Sequence, residues 1–222
     1  MTLPHWTMLA LSLGVLAFPF PGFYSRRHSY RALVELDIER RNETWWRVWR
    51  RVARFPWHWA ELIRGFGASW VAVTILDQGA ADWPRYAEVA SWARPIIPLL
   101  AAYVSVVLSA LLFRSPGKQP APVFFVGAVI LTLLPAAVAW PAVLLAGVVT
   151  LAFKSLPACF LMLGFSVLGL SFVFDRQPWP GLAGLLVALA PVLIAAGRHQ
   201  ELLMPVHRSQ RRAVSGDSEH KH

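Results

Sequence analysis

The sequence predicts an all-α fold, a polytopic transmembrane helical bundle of about seven spans with its N-terminus outside and its C-terminus inside. Three observations predict it. Residues 95–113, 121–139 and 156–174 each hold close to the roughly 20 apolar residues needed to cross a hydrocarbon core of about 30 Å, without one Asp, Glu, Lys, Arg or His. Ten of the 21 Lys and Arg residues fall between Arg26 and Arg64, among tryptophans and directly after the first apolar run. The 222 residues are 56% hydrophobic and 15% charged with a mean hydropathy of +0.49, which excludes a disordered chain and an ordinary soluble domain.

The elements follow in order. Residues 3–23 are apolar, with no Lys or Arg before them and no small-residue cleavage pattern after them, so they are expected to be a retained first span. The second span rests on the short apolar run 69–76, extended backward through Ala60 so that Glu61 and Arg64 lie at its interfacial end. Asp82-Trp83-Pro84 suggests a capped short helix over 85–93, lying on the outer surface and anchored by Trp83 and Trp92. The third span is 95–113. Residues 121–153 are too long for one crossing and must fold back, for which Trp140-Pro141 is the expected corner. A second corner is expected at Lys154-Ser155-Leu156-Pro157, because a Lys at mid-bilayer costs about 2.5–3.5 kcal/mol. The last span is 181–197. The resulting division is a first span over 1–24, a cytoplasmic basic amphipathic segment over 25–58, a six-span membrane bundle over 59–197, and a cytoplasmic tail over 198–222 that is expected to be disordered.

Loop charge sets the orientation. With the N-terminus outside, the inner segments carry nine Arg in 25–58, then Arg114 and Lys118, then Lys154, then four Arg and one Lys in 198–222. The outer segments carry only Arg85, Arg94 and Arg176. This is the positive-inside pattern of a plasma (inner) membrane protein.

Within 25–58, residues 44–55 have the clearest helical period. Trp45, Trp46, Val48, Trp49, Val52 and Phe55 share one half of a helix, and Arg47, Arg50, Arg51 and Arg54 form a stripe opposite. An interfacial helix of this kind sinks its aromatic face into the acyl boundary and offers guanidinium groups to lipid phosphates. Trp45, Trp46, Arg47, Trp49, Arg50, Arg51 and Arg54 are therefore the expected lipid-surface residues, and anionic head groups the expected partner. The formal charge of +9 does not point to nucleic acid, because the cations concentrate beside a span.

Chemistry is sparse elsewhere. Glu35 and Glu39 share a helix face and, with Asp37, His28 and His58, sketch an acid/base or metal cluster. A salt-bridged helix paired with Arg31, Arg40 and Arg41 explains the same residues. No HExxH spacing, phosphate-binding glycine loop, nucleophile elbow or internal repeat occurs, and no catalytic, cofactor or metal residue is assigned. The single cysteine, Cys159, lies in an apolar run and forms no disulfide within the chain. The spans after residue 94 hold only hydroxyls (Tyr103, Ser105, Ser109, Thr132, Thr150, Ser166 and Ser171), which argues against proton-coupled transport and haem. Pro98, Pro135 and Pro191 are expected to kink spans, and Gly184 with Ala188 to admit a close neighbour, within the chain or from another copy.

The leading expectation is a non-enzymatic accessory or scaffold protein of the membrane, with a protein partner or a homo-oligomer in view. One alternative is a small transporter or flippase-like protein for a neutral or lipidic solute, favoured by a polar cavity framed by prolines and disfavoured by a dry bundle. The other is a membrane enzyme acting on lipid head groups.

Overall fold

A computed structural model of the chain describes residues 3–18, 29–31, 50, 52–82, 87–112, 117–174 and 178–206. Seven helices are described: α1 (Leu3–Ala17), α2 (Pro56–Asp82), α3 (Ala87–Leu112), α4 (Val123–Leu133), α5 (Ala136–Phe153), α6 (Leu156–Phe174) and α7 (Trp179–Gly197). Three short strands accompany them: β1 (Ser29–Arg31), β2 (Lys118–Pro120) and β3 (Glu201–Val206). Helix α1 packs on α2 and α3, α2 on α4, and α5, α6 and α7 stack in sequence, with α7 closing back on α3.

Among the described residues, four stretches are long and apolar enough to cross a membrane: Ala93–Leu112, Ala136–Phe153, Leu156–Phe174 and Trp179–Gly197. Their packing has membrane character. The inner face of α7 is built from small residues, Gly181, Ala183, Gly184, Ala188, Ala190 and Ala195, while Leu182, Leu186 and Leu193 point outward. Helix α5 likewise exposes Trp140, Leu144, Val148 and Leu151 at spacings of three and four. Close backbone contact inside and large apolar side chains outside invert the pattern of a water-soluble helix.

The α6–α7 contact shows this closely. A Cβ added at Gly181 would stand 2.5 Å from Cβ and Oγ of Ser171, and one at Gly184 would stand 2.8 Å from Val167 Cγ1. The close approach anticipated at Gly184 and Ala188 is therefore made within the chain, against α6.

The fold-back of 121–153 lies elsewhere than Trp140-Pro141. The chain breaks at Leu134, which is extended (φ −100, ψ 153), and Pro135 (φ −53, ψ 141) starts the next helix by accepting the N–H groups of Val138 and Ala139. A residue before proline avoids the α region, so either proline could have made the bend. A proline at 135 inside one continuous helix would lose a mid-helix hydrogen bond, whereas Pro141 costs only one bond near the start of α5. The result is an α4 of 11 residues, about 16 Å long and short of a full crossing. The corner at Lys154-Ser155 is present, with Lys154 in the left-handed region (φ 50).

Two other expectations are corrected. Residues 87–93 are not a separate surface helix, because α3 runs unbroken through Pro95 and Pro98. The segment 198–222 is not disordered throughout, because Glu201–Val206 is the central strand of a small sheet. The sheet, the one departure from an all-α fold among the described residues, has the order β1-β3-β2. Strand β3 pairs antiparallel with β1 and parallel with β2. Leu202, Leu203 and Met204 are buried, which explains why this apolar trio leaves solvent.

The link into β3 has a strained residue. Gln200 N–H donates to Ala195 O and His199 N–H to Ala196 O, a Schellman end to α7 that places exposed His199 at φ 52. Glycine suits this position better than any L side chain. His199→Gly is expected to stabilise the purified protein by about 0.5–1 kcal/mol, and His199→Val to destabilise it, with thermal unfolding as the readout.

Candidate functional site: a buried charge cluster

Pro56 starts α2 at the position where its missing N–H costs nothing, and the helix carries Glu61 and Arg64 one turn apart on one face. Both side chains are buried within the protein, Glu61 4% and Arg64 8% exposed. Burial of two charges requires that they be paired and hydrogen-bonded. Arg64 Nη2 donates to Glu61 Oε2 at 3.1 Å.

The other nitrogen reaches further. Arg64 Nη1 donates to Phe18 O at 2.5 Å and to Ser105 Oγ at 3.0 Å, with longer contacts to Leu16 O at 3.3 Å and Val15 O at 3.4 Å. The last carbonyls of any helix lack partners within it and carry the negative end of the helix dipole. Helix α1 has no basic residue in its own last turn, so a guanidinium from α2 supplies the missing donor and charge. Ser105 completes the knot by donating to Phe18 O at 3.2 Å. The guanidinium carbon also stands 3.9 Å from the centroid of the Phe125 ring, a cation–π contact with α4. One side chain thus joins α1, α2, α3 and α4.

Around the pair lies a second tier. Glu61, Ser109 and Gln119 line a small cavity of about 20 Å³ between α2, α3 and β2. Gln119 Nε2 donates to Pro191 O at 3.4 Å, while Gln119 Oε1 and Glu61 Oε1 have no hydrogen-bond partner among the described residues. His58 is buried between aromatic rings, 5.4 Å from Phe55 and 4.6 Å from Phe124. At the same end, Arg198 Nη1 donates to Ala110 O at 2.7 Å, tying the start of the C-terminal segment to α3.

The residues singled out by sequence are distributed unevenly. Trp45, Trp46, Arg47, Trp49 and Arg51 lie outside the described residues, as do Glu35, Asp37, Glu39 and His28. Arg50 and Arg54 are described and exposed. Val52 and Phe55, expected on the bilayer-facing side of that helix, are instead buried, with Val52 in the main core. Thr132 and Thr150 donate to the carbonyls four residues earlier, the packing role expected of span hydroxyls. Among the described residues no group of three His, Cys, Asp or Glu side chains could hold a metal ion.

A larger cavity of about 410 Å³ lies between α2, α4, α5 and α6. Neither Pro135 nor Pro191 lines it, and its wall is apolar apart from Thr150 and Cys159, so it is not the proline-framed polar cavity that a neutral solute would need.

Fold and site together define a helical protein of membrane type, with four helices apolar and long enough to span and a charge cluster turned inward on its own helices. The chain matches no protein-family model, and comparison with curated proteins and with solved structures finds no significant likeness.

Proposed function

We propose that this is a multi-pass protein of the plasma (inner) membrane, N-terminus outside and C-terminus inside, that acts as a non-enzymatic accessory or scaffold component. In this reading α1, α2 and the α4–α5 pair are inserted beside the four apolar helices, and the basic segment 25–58 lies on the cytoplasmic leaflet and meets anionic head groups. The observation that carries it is the Glu61–Arg64 cluster. The buried Glu61 and Arg64 side chains are committed to each other, to the protein's own carbonyls and to a ring, which holds helices together and leaves little chemistry there for a substrate.

The orientation draws support from the sheet. β1, β2 and β3 come from the segments after α1, α3 and α7, three of the cation-bearing segments, and pairing gathers them at one end of the bundle. The alternation of inner and outer segments is the same whether α4 and α5 both cross or form a re-entrant pair, because both arrangements return the chain to its starting side.

Two measurements test this reading. A reporter that matures only in the cytoplasm, fused after His222, is expected to be active, and activity of a periplasmic reporter at that position instead would reverse the orientation. Gentle solubilisation followed by mass spectrometry is expected to yield a stoichiometric protein partner. The alternative of a small transporter or flippase-like protein has less support, because the cavity lacks the polar, proline-framed wall expected of it; recovery of the protein without a protein partner, together with lipid transfer across reconstituted vesicles, would place it ahead. For the third reading, an enzyme acting on lipid head groups, the candidate His58 has its ring packed between two phenylalanines, and its other candidates lie outside the described residues.

A further inference from the structure

We infer that the cavity between α2, α4, α5 and α6 is a binding groove for one acyl chain of an anionic phospholipid, with the head group at the Lys154 end. The inference goes beyond the surface contact proposed for residues 25–58 and rests only on the chain being in a membrane.

The groove has the size and chemistry for such an occupant. Its volume of about 410 Å³ falls within the roughly 300–1,000 Å³ of ligand pockets. Leu62, Phe66, Phe124, Leu131 and Leu163 supply apolar wall. The Thr150 hydroxyl is already donated to Ala146 O at 2.6 Å, so the groove asks for no hydrogen bond from its occupant. An acyl chain entering from the bilayer leaves other acyl chains behind, so what it gains there is close packing against these side chains and not removal from water.

Two glycines keep the groove open. Gly127 on α4 and Gly147 on α5 both line it, and a Cβ at either would meet nothing within 4 Å. Glycine is disfavoured in a helix interior relative to alanine. Open space also lies beside Gly14, Gly67, Gly169 and Gly197, but of the described glycines with room for a Cβ only Gly127 and Gly147 line this groove. The groove opens between α2 and α5, where Phe66 and Gly147 are exposed and the neighbouring Leu144 and Val148 form an apolar outer face.

Charge complementarity selects the lipid class. Thr150, Leu156 and Met204 mark the end of the groove nearest the sheet. Lys154 lies between Thr150 and Leu156 in sequence, at the turn joining α5 to α6, and Leu156 also lines the adjoining pocket that contains Lys154 and Ser155, with the exposed Glu201 on its β3 side. A chain seated in the groove would present its phosphate to this cation rather than to the opposite end of the bundle.

The test uses the full-length protein reconstituted in vesicles of equal parts phosphatidylcholine and phosphatidylglycerol, then released for native mass spectrometry. The wild type is expected to retain one phosphatidylglycerol. Gly147→Leu and Gly127→Leu, each filling the groove without a clash at Cβ, are expected to lower that occupancy by about tenfold, the equivalent of about 1.4 kcal/mol. Lys154→Gln is expected to leave a bound lipid but abolish the preference for phosphatidylglycerol. A second readout needs no substitution: a phosphatidylglycerol with a photoreactive acyl chain should label peptides of α4, α5 and α6. Equal retention by the wild type and both leucine variants, or labelling spread evenly over α3 and α7, would mean annular lipid and overturn the inference. A dimer that disappears in the leucine variants would also overturn it, in favour of a second copy as the occupant. Insertion into the vesicles is scored separately by resistance to alkaline extraction, so a protein that fails to insert counts against the membrane reading and not against the groove.

Discussion

Arg64→Met is expected to destabilise the protein by about 3–5 kcal/mol, the largest loss of any single substitution considered for it. Two separate penalties add. Glu61 would remain buried without its cation, and the carbonyls of Leu16 and Phe18 would lose the donor that caps α1. The two can be separated. Glu61→Leu with Arg64→Met removes the uncompensated carboxylate but not the orphaned carbonyls, so it should recover only part of the loss. Glu61→Gln alone keeps an acceptor oxygen for Arg64 Nη2 and should cost about 1–3 kcal/mol. Unfolding in detergent micelles, followed by helical circular dichroism, reads all of these. If Arg64→Met unfolds within 0.5 kcal/mol of the wild type, within the scatter expected of an ordinary surface change, the clamp is not what holds α1 in place.

Gly181→Val is the second large effect. Its Cβ would arrive 2.5 Å from Ser171, far inside contact distance, and the valine methyl groups would follow. Ser171 is attached to its own helix by a short, stiff side chain, so relief requires α6 and α7 to move apart. Overpacking of this kind costs about 1–3 kcal/mol and sometimes more. The contact also identifies its own suppressor: Ser171→Gly should recover much of the loss in the double variant while costing little more than its helix propensity alone. Additive losses in that cycle would show that the two positions do not meet.

Much of this architecture is legible from residues read one window at a time. The corner at Lys154-Ser155 is visible because a charge and a proline interrupt an apolar run. The close face of α7 is visible because glycine and alanine recur at helical spacing. The bend at Pro135 is different. Local preference at Pro135 and Pro141 is the same, and the packing of α4 against α2 accompanies the choice, at a contact where a Cβ on Gly65 would stand 3.0 Å from Ala128 Cβ. The role of Arg64 is equally hidden, since it depends on carbonyls some 46 residues away that become neighbours only in the fold. The sequence does contain one hint, an α1 that ends without a basic residue or a glycine cap. Strands of three residues, such as β1 and β2, are too short to show a period. The apolar Leu202-Leu203-Met204 was the signal that part of the polar C-terminal segment is ordered. Most of the Trp- and Arg-rich helix expected over 44–55 lies outside the described residues, and at its far end Val52 and Phe55 face the bundle.

The position of β3 bears on how the molecule is completed during synthesis. Among the described residues β1 and β2 do not pair with each other; each is bonded to β3, which is translated after four further described helices have followed β2. Between synthesis of β2 and of β3 the nascent chain therefore carries two strands still without the strand that pairs them. Ribosomes extend a chain by about 5–20 residues per second, so that interval lasts seconds. Arrival of the last strand closes both edges at once, so closure of the sheet reports that every preceding helix has been made and brought within reach.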